Sequence, residues 1–155
     1  MRIEEIDQRD KAILRELMRD GRQTNAELAE RVNLSPSACL RRVKAMEDGG
    51  LIAGYVMVLD PLLADVSGVA FVAVTLKDQG RATLDKFETA AQHHPEIVEC
   101  YLLAGTSDYL LRVVYRDATD FERIHTRVLT QLPGVHRVQS TLTLRTVKRT
   151  TALPI

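Results

Sequence analysis

The hydrophobic period changes once along this chain of 155 residues. Up to about residue 50, apolar side chains recur every three or four residues, the spacing of helices with one buried face. Beyond it, continuous apolar runs alternate with further helical stretches. A chain with that break folds as two units: helices over 1–50, a wing or linking strand over 51–65, an α+β unit over 66–148 and a tail over 149–155.

In the first unit Asp7 can cap a helix whose stripe is Ile6, Ile13, Leu14, Leu17 and Met18, ended by "DGR". Thr24 and Glu27 stand in capping-box spacing for a second helix burying Leu28, Ala29 and Val32. Asn33 suits the left-handed position after a helix, and Ser35-Pro36 supplies an N-cap and first-turn residue for a third helix. So short a connection, with the small Ala29 allowing close approach, predicts a helix-turn-helix.

At 100° per residue the third helix puts Cys39, Val43 and Met46 on one face. Ser37, Ala38, Arg41, Lys44 and Ala45 lie opposite, with Arg42 at the flank. The chain has 21 Lys/Arg and 21 Asp/Glu, so no overall field draws it to nucleic acid. Positive charge is instead concentrated on one helix face, whose arginines could reach phosphates or guanine edges in a major groove. Residues 1–61 hold 10 basic and 11 acidic side chains. A single copy is therefore expected to bind double-stranded DNA weakly, and a dimer is expected. "GGLIAGYVMVLDP" follows as a strand-like run, readable as a wing or as a linking strand.

From residue 66 the order reads strand, helix, strand, strand, helix, strand, the βαββαβ order of a ferredoxin-like sheet with both helices on one face. In a monomer the free face should be polar, yet "VAFVAV" is apolar on both. A second chain covering that face is the simplest solution. The turn "AGTSDYLL" offers Gly105 for backbone freedom, Thr106, Ser107 and Asp108 for hydrogen bonding, and Tyr109 as an aromatic wall. It reads as a plain hairpin turn or as a cradle for a small zwitterion, with Asp108 and the turn amides holding its charged groups.

No apolar run approaches the roughly 20 residues of a membrane span, and "MRIEEIDQRD" lacks the pattern of a signal peptide, so a cytoplasmic location is expected. Cys39 and Cys100 stand in apolar patterns and are expected as two buried thiols. His93, His94, His125 and His136 have no nucleophile or metal ligand at useful spacing. Neither catalytic nor metal-binding residues are expected, and no cofactor beyond an effector.

"LSPSACLRRVKAMEDGGLIAGY", the "LDP" after it, "PEIVECYLLAGTSDYLLRV" and "LPGVHRVQSTLTL" together resemble the Lrp/AsnC family, the leucine-responsive or feast/famine transcriptional regulators. The resemblance spans roughly residues 4–148. It implies an α+β fold, with an N-terminal winged helix-turn-helix and a βαββαβ domain that dimerises and often builds octamers. It implies further an amino acid bound where dimers meet, altering assembly and DNA binding. Carried over by position, Ser35, Pro36, Ser37, Arg41 and Arg42 face DNA, beside Lys44. Gly105, Thr106, Asp108 and Tyr109 match the Gly-x-x-Asp-Tyr effector loop, with Ser140 and Thr141 on the last strand. Thr106-Ser107 stands where many relatives carry an acidic or aromatic residue, so the ligand's identity does not carry over. The leading reading is a sequence-specific regulator that senses a small amino acid. An architectural DNA-binding protein without an effector and a small enzyme on a dimeric ferredoxin-like barrel are the alternatives.

Overall fold

The computed structural model describes residues 1–155, which divide into a helical unit, Met1–Val58 with Lys148–Ile155, and a sheet unit, Leu59–Val147.

The helical unit contains α1 (Gln8–Arg19), α2 (Asn25–Arg31) and α3 (Pro36–Asp48). Each start is capped as its residues dictate. Asp7 accepts from the amides of Arg9 and Asp10 at 2.8 and 2.9 Å. Thr24 and Glu27 close a reciprocal box, Thr24 N donating to Glu27 Oε2 at 2.7 Å and Glu27 N to Thr24 Oγ1 at 3.3 Å. Ser35 Oγ accepts from Ala38 N at 3.3 Å, with Pro36 opening α3. Asn33 takes the left-handed conformation, φ 52°, that turns the chain between α2 and α3. Ile13, Leu14, Leu28, Ala29, Cys39 and Met46 form the core, with Ile6, Leu17, Val43, Leu51 and Ile52 at its margin.

Residues 53–60 carry no strand, contrary to the run expected there. Val56, Met57, Val58 and Leu59 are exposed, since a lone extended segment has no ladder to join. Tyr55 differs: its ring lies against Gly21 and its hydroxyl donates to Glu47 Oε1 at 3.0 Å.

The sheet unit runs β1 (Gly68–Leu76), α4 (Arg81–Gln92), β2 (Ile97–Leu102), β3 (Tyr109–Tyr115), α5 (Ala118–Arg127) and β4 (Val135–Leu142). The strands are antiparallel in the order β2-β3-β1-β4. Ala70, Val72, Val74 and Leu76 of β1 share the buried face with Tyr109, Leu111 and Val113 of β3, packed on Phe87, Ala91, Ile124, Val128 and Leu129. On the other face, the register aligns Phe71 with Arg112 and Thr141, and Ala73 with Leu110 and Gln139. That face is open: Phe71 and Tyr101 are exposed, and it carries an Arg112–Glu99 pair at 2.7 Å beside the exposed Arg137. Cys39 is buried, but Cys100 is exposed, because β2 is an edge strand and nothing covers its outer side.

Candidate functional site

Two places collect the side chains named from the sequence, one in each unit. On α3 the helical period leaves one exposed arc, Ser37, Leu40, Arg41, Lys44 and Ala45, opposite the buried Cys39 and Met46. The start of the helix is fixed from α2, whose Asn25 Nδ2 donates to Pro36 O at 2.8 Å. Ser35 and Pro36 are exposed there. Glu47 and Asp48 close the far end of the same helix, so the outward positive charge, Arg41 and Lys44, lies ahead of its last turn.

Arg42 is engaged within the unit. It sits 100° beyond Arg41, toward α1, and its Nη1 donates to Asp7 Oδ2 at 2.9 Å and Asp10 Oδ1 at 2.8 Å. The amide of Asp10 and then the Arg42 guanidinium hold the Asp7 carboxyl below its usual range. Arg42 therefore staples α3 to the capped start of α1, and its side chain is only 25% exposed. Leu40 is the residue that sequence reasoning missed. At 55% exposure it lies in the same outward arc as Ser37, Arg41 and Lys44. The 100° wheel already places it there.

The second place is the turn from β2 to β3. Leu103 N donates to Asp108 O at 2.8 Å and closes it, leaving Gly105 and Thr106 exposed. A side chain added at Gly105 would meet nothing within 4 Å, so the outer side of the turn is open. Asp108 and Tyr109 are both buried and bonded within the chain. Asp108 is buried and accepts from Leu76 N at 2.7 Å and Gln79 Nε2 at 2.6 Å, binding the end of β1 and the loop after it. Tyr109 begins β3 with its ring inward, 4.4 Å from that of Phe87, and its hydroxyl donates to Glu88 Oε1 at 2.7 Å. Burial, then the Glu88 hydrogen bond, pushes this phenol's pKa far up. Both residues tie the end of the turn to β1 and α4 from within.

Ser140 and Thr141 alternate across β4. Ser140 pairs with Val72 and turns to the helix side, where its Oγ is buried without a partner, while the exposed Thr141 pairs with Phe71 on the open face. Tyr109 pairs with Val74, so Ser140 lies two rows along and two strands across from the turn, about 7 and 10 Å. One chain does not bring these residues together. The histidines do not gather either: His93 Nδ1 lies 2.6 Å from Thr89 O, His125 rests near Phe121, and no three potential ligands stand together around a metal site. No helix is long and apolar enough to cross a membrane.

Two family models match the two units: a winged helix-turn-helix DNA-binding domain over residues 6–53 and an Lrp/AsnC ligand-binding domain over residues 69–153. The chain is 38% identical over 151 residues to the leucine-responsive regulatory protein of Escherichia coli, covering 97% of this chain and 92% of that one. It is 51% identical over 116 residues to an uncharacterised helix-turn-helix-type regulator of Sinorhizobium fredii, covering 75% and 91%. Among solved structures, a transcriptional regulator of Neisseria meningitidis in complex with L-methionine superposes with a TM-score of 0.92 at 37% identity, over 96% of each chain. Sequence, domain order and backbone agree from one end to the other, and this chain belongs to the Lrp/AsnC family of transcriptional regulators.

Proposed function

We propose that this regulator reads a two-fold related DNA site with the first turns of α3 and changes its grip when a small amino acid binds beside the Gly105 turn. The observation that carries the first part is the outward arc of Ser37, Arg41 and Lys44 behind the Ser35-Pro36 cap. Ser35, Pro36 and Ser37 place the helix start against the backbone, and Arg41 and Lys44 supply the charge. Arg42 sets the tilt of the helix through Asp7 and Asp10.

The L-methionine complex of the Neisseria regulator supports an amino-acid effector. Gly105 and Thr106 offer the exposed contacts, with Asp108 and Tyr109 holding the turn in shape. Thr141, exposed on the open face, would complete the site from another copy, since one chain keeps it apart from the turn, and Ser140 beside it would support β4 from the helix side. The open face around Phe71, Leu110 and Tyr101 is the surface through which two chains pair, and dimers then build the octamer in which effector sites form. The protein works in the cytoplasm, where DNA and free amino acids meet.

The test is a thermal-shift panel of the twenty amino acids, with sedimentation for each hit. A ligand at 100 times its Kd stabilises by about 2.7 kcal/mol. A hit that survives Arg41→Ala and disappears in Thr106→Arg supports the reading. No shift at millimolar concentration removes the amino-acid effector and leaves an architectural DNA-binding role. A Phe71→Asp chain should sediment with half the mass of the parent or less; unchanged mass removes the sheet-face dimer.

A further inference from the structure

After β4 ends at Leu142 the chain does not stay with the sheet: its last eight residues, Lys148–Ile155, belong to the helical unit. Their seat is on α1. Ile155 is half-buried and packs on the helical core, and its main-chain oxygen accepts from Arg15 Nε at 2.8 Å. Leu153 N is directed at Met18 Sδ at 3.3 Å. Arg15 and Met18 are three residues apart, so they share one face of α1. Pro154 restricts Leu153 to extended conformations, and Ala152 N donates to Thr150 Oγ1 at 3.1 Å, so the segment loses less freedom on docking than a flexible one would. The side chain of Leu153 is exposed; the anchor is Ile155.

We infer that this α1 face is a docking surface whose partner is the chain's own segment Lys148–Ile155, acting as a strap on the DNA-binding unit. The chain crosses between the two units at Val58/Leu59 and again at Val147/Lys148. A helix-turn-helix hung on one irregular linker reorients freely. With a second, seated connection it loses much of that freedom, because the seat acts at the high effective concentration of a tethered group. The strap follows β4, the strand bearing Ser140 and Thr141, after the irregular residues 143–147.

The strap is tested on the full chain without DNA or amino acid, so its failure is separable from failure of the proposed function. Hydrogen exchange would be followed in α1 and in β1 and β3, together with the rate of chymotryptic nicking in the exposed linker around Met57–Leu63. The variants are Ile155→Asp, the milder Arg15→Gln, and a chain lacking residues 150–155. Expected is exchange at Arg15–Arg19 faster by at least about fivefold with the strand amides unchanged, and linker nicking faster by at least about threefold. Unchanged exchange in α1 for all three variants overturns the seat. Faster exchange with unchanged nicking overturns the strap, reducing the segment to a local cover for α1. Should Ile155→Asp or the truncation fail to fold, Arg15→Gln still reads both quantities.

Discussion

Neighbouring arginines on α3 should fail in different ways. Arg41 is exposed and without a carboxylate partner, whereas Arg42 spends its guanidinium on Asp7 and Asp10. If Arg41 meets a phosphate, Arg41→Ala lowers the slope of log K against log salt by about 0.9. Relative to 1 M salt, that is about fivefold in affinity at 0.15 M. Arg42→Ala removes no phosphate contact and leaves the slope alone. It does break the pair with Asp10, a side chain only 15% exposed. A charged hydrogen bond at such a rim is worth about 1 kcal/mol after solvent screening. For a unit of roughly 60–100 residues that lowers the Tm by about 4 to 8 °C. The assay is fluorescence anisotropy on a duplex selected from random sequence, at four salt concentrations, with thermal unfolding of each variant. A reduced slope with unchanged Tm in Arg42→Ala would show that Arg42 swings out to DNA and refute the staple.

Leu40→Ala should change the base preferred at one or two positions of the selected duplex without changing the salt slope, because an exposed aliphatic side chain in a groove reads a thymine methyl rather than a phosphate; selection repeated on the variant checks this. Asp120 accepts from Arg116 N at 3.1 Å and from Arg123 at 2.9 Å, and the Arg116 amide first, then the Arg123 guanidinium, hold its carboxyl below the usual value near 3.8. Its contribution is therefore complete above about pH 4, the unfolded value, and is lost as pH falls through the lower folded value. Asp120→Asn should destabilise at pH 7 and flatten the acid limb of the stability curve, read by urea unfolding from pH 7 to pH 3. Phe87, fully buried against Tyr109, should cost about 3 to 5 kcal/mol as Phe87→Ala, seen as a fall in the urea midpoint of the sheet unit.

Local chemistry determined most of the fold. Asp7, Thr24-Glu27, Asn33 and Ser35-Pro36 act on backbone groups within four residues of themselves, so helix starts and the tight α2–α3 turn could be read without knowing what lies across the unit. The two hydrophobic periods likewise state which face of each element is buried. What they leave open is the partner across the gap. Arg42 and Arg41 look alike in sequence, and only the packing of α3 on α1, 32 residues away, gives one of them a carboxylate. Asp108 shows only a turn carboxylate in the sequence, and the fold brings Leu76 N and Gln79 to its two oxygens from 32 and 29 residues earlier. The tail is the extreme case: "RTTALPI" carries no periodicity, and its anchorage comes from Arg15, 140 residues distant. Capping and amphipathicity are short-range and leave a pattern in the chain, whereas pairing of charges and seating of a segment are choices among distant partners that only the folded backbone makes.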